Sequence, residues 1–202
     1  LALKNMTYLG PFHNGFRQIT NSKHEVRTPE DVEHLKIRVP GSVVFMGFFN
    51  ALGADPTAMN WSEVFTAIQQ GVMDAFECPT NILLYNGFYP YTSHVAENLY
   101  YCPQIFLILV NERWYQNLSP EQKIFLNEAA ASNELEHFAW VQAEYDDVRK
   151  QLVNHGVEFH DINDVEQWKA NAIALWPDFA EMSGGKEWVE GVMRFQKTGS
   201  FK

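Results

Sequence analysis

The sequence predicts an α/β fold built around a parallel-rich sheet, and three observations support this prediction. Short strand-like and helix-like patterns alternate along residues 35–79, at the lengths typical of right-handed βαβ units. Residues 105–110, IFLILV, are apolar on both faces, as in a strand buried in a sheet that is covered by helices. Residues 120–155 contain no helix breaker after the first proline, which indicates one helix of about 36 residues and about 54 Å.

Composition limits the possible classes of function. The chain has 202 residues, 46% of them hydrophobic, and can bury a sizeable core. Its 25 acidic and 15 basic residues give a net charge of −10, without any basic run, so nucleic acid and anionic membranes are poor partners. The longest apolar runs are far shorter than the ~20 residues of a spanning helix, so direct membrane insertion is not expected.

The sequence indicates no metal site and no cofactor. The two cysteines, Cys78 and Cys102, have no C-x-x-C spacing, and neither a zinc site nor a disulfide scaffold is indicated. The seven histidines are scattered, without H-x-x-x-H or H-E-x-x-H spacing. The chain begins LALKNMTYLG, without an initiator methionine or a signal-peptide pattern, and we expect it to be the interior of a longer protein.

The first strand of the alternating region lies in EHLKIRVPGS. Leu35, Ile37 and Val39 alternate with charged residues, which predicts a half-buried strand ending at Pro40.

Arg38 lies where this strand gives way to a helix. Ser42 suits the N-cap of a helix through VVFMGFFNALG, and Gly53 suits its left-handed end. At this edge of an α/β sheet, backbone N–H groups and the positive end of a helix dipole favour anions. We therefore expect the Arg38 guanidinium to bind an anion.

The next helix is predicted to begin after Asn60, which can form a capping box with Glu63, and to end at Gly71. The strand VMDAFE follows and ends at Cys78 and Pro79.

Three side chains of different character follow successive predicted strands. Arg38, Trp61 and Cys78 lie at or just beyond the carboxyl ends of these strands. Because parallel strands place those ends at one edge of a sheet, we expect the three side chains to converge there.

The second half of the chain contains the long helix. Ser119 is its predicted N-cap, Pro120 occupies the first helical position, and Gln122 stands at the capping-box position. Because a domain of ordinary size is only ~30 Å across, this helix is expected to span two bodies. A strand, VEFHDI, and two further helices complete the prediction.

Several motifs together resemble one protein family. GFRQITNSK, TPEDVEHLKIRVP, LGADPTAMNWSEVFTAIQQGVMDAFECP, YTSH and LSPEQKIFLNEAA are similar, in this order, to the substrate-binding proteins of tripartite ATP-independent periplasmic (TRAP) transporters. The resemblance covers essentially the whole chain but only about the last two-thirds of a family member. It implies a periplasmic-binding-protein-like, two-lobed α/β fold. Residues 1–103 and 144–202 would form the second lobe, and residues 104–143 would belong to the first lobe, whose main part is absent.

The resemblance also implies a function. Members of this family are periplasmic solute receptors, not enzymes, which close over a small organic acid and deliver it to integral membrane subunits of the transporter. Arg38 matches the arginine that makes a bidentate pair with the ligand carboxylate. This role suits the planar fork of N–H donors that a guanidinium provides. Arg17 matches a second ligand-contacting arginine.

Four more positions match the family's cleft. Trp61 matches an aromatic residue that packs on the ligand, and Ser42 and Pro103 match positions that line the cleft. Cys78 differs from the family pattern, since many members have asparagine there. A thiol is a weak donor, which suggests a smaller or less hydroxylated acid than the well-known ligands of the family.

Each of these residues has a structural alternative. Arg38 could be a solvated or salt-bridged surface residue, and Arg17 could pair with Asp31 or Glu30. Trp61 could belong to the core.

Two other functions remain open at this point. The first is an effector-sensing domain of a transcription regulator, which can use a similar two-lobed cleft. The second is an enzyme with Cys78 as its nucleophile, although a buried structural cysteine is the simpler interpretation because no sequence feature places a base near it.

Overall fold

A computed structural model of the chain describes residues 5–99, 102–182 and 184–199. The strands are β1 (Met6–Asn21), β2 (Lys36–Val39), β3 (Asp55–Ala58), β4 (Ala75–Pro79), β5 (His94–Glu97), β6 (Cys102–Asn111) and β7 (Glu158–Asp161). The α-helices are α1 (Val43–Ala51), α2 (Trp61–Gln69), α3 (Thr80–Tyr85), α4 (Glu112–Gln116), α5 (Pro120–Asn154), α6 (Val165–Ala174) and α7 (Lys186–Thr198). The predicted α/β class is confirmed. Among the described residues, no helix is both long and apolar enough to cross a membrane.

The chain forms two compact units. The first contains the chain up to Gln18, Cys78–Ser93 and Asn98–Glu158, and the second contains Ile19–Glu77, His94–Glu97 and the chain from Phe159 onward. The sequence predicted different boundaries, with residues 1–103 and 144–202 in one lobe and residues 104–143 in the other. These boundaries refer to the lobes of a complete family member and stay a prediction.

The second unit is organised by a mixed sheet with strand order β3-β2-β4-β1-β5-β7. β2 pairs in parallel with β3, with Arg38 opposite Thr57, and in parallel with β4, with Arg38 opposite Phe76. These pairings confirm the predicted parallel βαβ units. The last residues of β1 pair antiparallel with β5, with Thr20 opposite Val95.

The burial of β2 differs from the prediction of a half-buried strand. Lys36 is exposed as expected, but Ile37, Arg38 and Val39 are all buried. β2 lies inside the sheet between β3 and β4, and α1, in which Phe48 and Phe49 are buried, packs against it. The charged side chain of Arg38 is therefore enclosed, although the alternating pattern suggested a solvent-facing position.

Local signals set the ends of the two helices that follow β2 and β3. Asn60 and Glu63 form the predicted capping box, with the Asn60 backbone N–H donating to Glu63 Oε2 at 3.2 Å. Gly53 follows α1 with a φ of +75°, and its backbone N–H donates to the Asn50 carbonyl at 3.0 Å. Because this left-handed conformation suits glycine, the chain can turn back sharply into β3.

The first unit contains a long antiparallel pairing and the long helix. β1 pairs with β6 from Met6 opposite Asn111 to Arg17 opposite Cys102. α5 has 35 residues, as predicted, and begins with a capping box in which Ser119 Oγ accepts from the Gln122 N–H at 3.2 Å. All of α5 belongs to this unit. Its predicted role in spanning two bodies stays a prediction.

The prediction that residues 105–110 are buried on both faces is wrong for this chain. Ile105, Phe106 and Leu107 are 50%, 48% and 53% exposed. Among the described residues, β6 pairs with β1 and with no second strand, so its apolar side chains remain largely in solvent.

We predict that Gly53→Ala destabilises the fold by about 1–2 kcal/mol, the typical cost of the left-handed conformation for a residue with a Cβ. The added Cβ would also lie 3.0 Å from Glu33 Cγ. Gly41→Ala is the matched control, because a Cβ there meets nothing within 4 Å. Urea unfolding of both variants checks this. Equal stabilities would show that the turn tolerates a side chain.

We also predict that the 202-residue chain associates in solution through β6, because an exposed apolar strand edge favours pairing with another chain. Light scattering should show species larger than 23.3 kDa. The double change Ile105→Lys and Leu107→Lys should reduce the association. A stable, monodisperse monomer of the unchanged chain would contradict the prediction.

Candidate functional site

The second unit places a buried arginine at the predicted position. Arg38 is only 4% exposed, and its Nε and Nη2 groups donate to the Met59 carbonyl oxygen at 3.0 and 2.6 Å. Met59 follows β3, and its backbone N–H donates to the Val39 carbonyl at 3.1 Å. The parallel pairing of β2 and β3 therefore positions the acceptor that fixes the plane of the guanidinium. The alternative of a solvated surface arginine is wrong, while that of a salt-bridged arginine stays a prediction.

Trp61 lies beside this guanidinium. Its ring centroid is 5.5 Å from Arg38 Cζ, and its ring lies 6.4 Å from the fully buried ring of Phe76. Trp61 is 41% exposed, so it rests on the core without being part of it. Arg38 and Trp61 lie together as predicted, whereas the convergence of Cys78 with them stays a prediction. The pair offers a charged fork next to an exposed aromatic surface, and the two attract each other through a cation–π interaction.

Ser42 occupies the predicted N-cap of α1 in the same unit. It is half-buried, its backbone is extended, and its side chain makes no capping hydrogen bond. Its backbone N–H donates to the Pro40 carbonyl at 2.7 Å. The short turn between Arg38 and Ser42 thus keeps the amino end of α1 within a few residues of the guanidinium.

The other predicted site residues belong to the first unit. Arg17 is half-buried on β1 opposite Cys102, and Pro103 is exposed on β6 opposite Phe16. The β1–β6 pairing therefore places Cys102 beside Arg17 and Pro103 beside Phe16. Cys78 lies on β4 and is buried, which agrees with the structural interpretation of this thiol.

The first unit contains a cavity of about 70 Å³ that no sequence pattern predicted. Its wall includes Phe16 and Gln18, which flank Arg17, and Thr80 and Asn81, which follow Cys78. Side chains alternate along a strand, so Arg17 faces away from the side on which Phe16 and Gln18 line the cavity.

Three buried oxygen atoms belong to residues that line this cavity. Gln18 Oε1, Thr80 Oγ1 and Asn81 Oδ1 are buried and have no hydrogen-bond partner among the described residues. Asn81 Nδ2 donates to Asn14 Oδ1 at 3.1 Å, which orients the Asn81 amide. The cavity is large enough for ordered water, which could donate to these atoms. Thr80 and Asn81 directly follow a strand, so the rule that ligands collect at strand ends could have found them.

A hydrogen bond to one of the residues that line the cavity shifts the pKa of a tyrosine. The Tyr85 hydroxyl donates to Glu144, whose side chain lines the cavity. This hydrogen bond, together with partial burial and the charges of Glu144 and Asp147, raises the pKa of Tyr85.

The sequence patterns also did not predict a buried glutamate in the second unit. Glu77, on β4, is fully buried and precedes Cys78. β4 is the strand next to β2, so adjacent strands of this sheet contain one buried acidic side chain, Glu77, and one buried basic side chain, Arg38. The signal was present in the sequence, because Glu77 interrupts an apolar strand in the same way as Arg38.

The chain matches known proteins along most of its length. The family model described as bacterial extracellular solute-binding protein, family 7 (DctP), matches residues 1–182. The 2,3-diketo-L-gulonate-binding periplasmic protein YiaO of Escherichia coli is 33% identical over 119 residues, which cover 58% of this chain and 36% of that protein. The chain spans about half the length of the curated relatives it matches, from 36% to 54% for three of them.

Solved structures of similar proteins agree with the fold. A TRAP periplasmic solute-binding protein from Rhodobacter sphaeroides, in an open state without ligand, is 31% identical with a TM-score of 0.81, over 96% of this chain and 63% of that one. Another from Ochrobacterium anthropi, with bound L-fuconate, is 30% identical with a TM-score of 0.80, over 89% and 59%. The similarity to TRAP receptors inferred from the motifs and the periplasmic-binding-protein-like fold are both confirmed. The chain belongs to the bacterial extracellular solute-binding protein family 7, a family of solute receptors.

Proposed function

We propose that the intact protein is a periplasmic solute receptor that binds a small organic acid for a TRAP-type transporter. The observation that supports this most directly is the buried Arg38 fork, held by the Met59 carbonyl and flanked by the exposed ring of Trp61. We propose that this fork binds the ligand carboxylate and that Trp61 packs on the ligand.

The chemistry of the fork supports a carboxylate ligand. A guanidinium is planar, always charged at physiological pH and able to form two parallel hydrogen bonds to a carboxylate. The two bonds to Met59 hold it in one plane, which reduces the entropy that is lost when an anion binds. Low exposure weakens the screening by water, which strengthens the pairing of opposite charges.

The named relatives support an organic acid as the ligand. L-Fuconate, bound to the Ochrobacterium anthropi protein, and 2,3-diketo-L-gulonate, in the name of the Escherichia coli protein, are both carboxylates. Cys78 offers a weaker donor than an asparagine amide would, so we propose a ligand with fewer hydroxyl groups than the family's well-known ligands. Arg17, Ser42 and Pro103 remain proposed ligand contacts on the basis of the family pattern.

The partners follow from the same proposal. A receptor of this family would deliver its acid to integral membrane subunits of the transporter, and we propose these subunits as its protein partner. We propose no catalytic residue, since the family consists of solute receptors.

We predict that Arg38→Ala weakens binding of the organic acid by about 2–5 kcal/mol, because the ligand charge then lacks its partner. This corresponds to a loss of affinity of roughly 30-fold to several-thousand-fold. Arg38→Lys should recover only part of the affinity, because an ammonium group cannot provide two parallel bonds in one plane. Thermal-shift screening of organic acids, beginning with L-fuconate, followed by calorimetry on the intact protein measures this.

Two controls keep this test interpretable. Arg38→Ala also removes the donors to Met59, at a cost in stability of about 1–3 kcal/mol, so calorimetry requires a temperature at which circular dichroism shows a folded protein. Arg113→Ala, on the exposed surface of α4, should bind the acid as the parent does. If Arg38→Ala binds within a few-fold of the parent, the carboxylate role of Arg38 is wrong.

We further predict that ligand binding changes the tryptophan emission through Trp61, because its exposed ring would lose contact with water. Trp61→Phe should remove most of the fluorescence change while retaining much of the affinity, since a phenyl ring preserves the apolar contact. Trp114→Phe, at an exposed position of α4, is the matched control and should leave the change intact. An undiminished signal in Trp61→Phe would show that another tryptophan reports binding.

A further inference from the structure

Two histidines meet in the second unit, away from the Arg38 site in sequence. His94 begins β5 and His160 lies on β7, the neighbouring strand of the sheet. His94 Nδ1 lies 3.0 Å from His160 Nε2. His160 is nearly buried and His94 is half-buried. Two ring nitrogens therefore face each other in a place with limited access to water.

The other nitrogen of His160 faces a carboxylate. His160 Nδ1 lies 3.4 Å from Glu25 Oε2, and the same carboxylate oxygen accepts from Arg27 Nε at 2.9 Å. Arg27 is held in turn by a bond from Nη1 to the Asp161 carbonyl at 3.1 Å, and its Nη2 lies 3.4 Å from His160 Nδ1. His160 Nδ1 therefore lies beside both a guanidinium donor and a carboxylate acceptor.

We propose that His94 and His160 bind a divalent transition-metal ion of the Zn²⁺ class through His94 Nδ1 and His160 Nε2. Two imidazole nitrogens bound to one tetrahedral ion at 2.0–2.1 Å lie about 3.3 Å apart. The observed 3.0 Å needs an opening of only a few tenths of an ångström. The two rings are already in position, so an ion can bind without rearrangement of the strands that hold them.

Glu25 fits the role of an outer carboxylate. Histidines that bind metals nearly always donate their second ring N–H to a carboxylate or carbonyl, which fixes the tautomer and increases the basicity of the ligating nitrogen. Glu25 lies on the correct nitrogen of His160 for this role. Arg27 Nε donates to the same Glu25 carboxylate at 2.9 Å, which holds Glu25 in place behind His160.

The Glu158 carboxylate lies close enough to be a third ligand, since its ligand atom and those of the two histidines are within 4.8 Å of one another. Glu158 begins β7 and lies two residues before His160. Side chains at positions i and i+2 of a strand point to the same face, so Glu158 leaves β7 on the side of the His160 ring. Two imidazoles with one carboxylate suit Zn²⁺, Cu²⁺ or Ni²⁺, whereas Mg²⁺ and Ca²⁺ prefer sites made of oxygen atoms alone.

Calorimetry with ZnCl₂ and NiCl₂ on the intact, untagged and chelator-stripped protein at pH 7.5 tests the proposal. We expect saturable binding of one ion per chain and no heat with MgCl₂. His94→Asn and His160→Asn should each lower the Zn²⁺ affinity at least tenfold. His34→Asn is the matched control, since His34 is exposed at a φ of +61° that asparagine tolerates, and it should bind Zn²⁺ as the parent does.

A second variant preserves the test if a histidine variant does not fold. Glu25 is 55% exposed at its side chain, so Glu25→Gln should fold normally, and the loss of the outer carboxylate should weaken Zn²⁺ binding by about 10-fold to 100-fold. Glu33→Gln, at another exposed position, is its control and should leave the affinity unchanged. Absence of Zn²⁺ binding, or equal binding by the parent and by the His94, His160 and Glu25 variants, would overturn the proposal.

Discussion

The bond from the Arg38 guanidinium to the Met59 carbonyl is the interaction on which the proposed receptor site depends. A guanidinium with 4% exposure requires acceptors, and the parallel pairing of β2 and β3 places one at 2.6–3.0 Å from two of its nitrogens. The sheet therefore orients the guanidinium. The segment that follows β3 contains Met59 and leads into α2, so it also positions Trp61, the first residue of that helix. A site built on strand pairing is more rigid than one built on a loop, which suits recognition of a planar carboxylate.

Local signals in the sequence predicted the elements around this site well. The capping box of Asn60 and Glu63, the turn at Gly53 and the long helix after Ser119 each depend on residues within a few positions, so a single stretch contains the whole signal. Burial could not be predicted in the same way. Arg38 has the alternation of a surface residue but is enclosed, and residues 105–110 have the composition of a core strand but are exposed, because burial depends on which elements pack nearby.

Contacts between distant segments explain what the sequence could not show about the sites. The position of Arg38 was predicted, but its acceptor Met59 is 21 residues away and is a backbone group, which no residue pattern can reveal. His94 and His160 are 66 residues apart on adjacent strands. Spacing rules such as H-x-x-x-H detect ligands that share one helix, whereas ligands on neighbouring strands have no fixed separation in sequence.

The net charge of −10 affects the two proposed sites in opposite ways. The negative net charge repels an anionic acid as it approaches and attracts a metal cation. At physiological ionic strength this field is screened over about 8 Å, so it alters the rate of approach more than the affinity of an enclosed group. Affinity for a carboxylate must therefore come from groups within hydrogen-bonding distance. The low exposure of Arg38 supports such short-range recognition, because little water remains there to weaken the pairing of opposite charges.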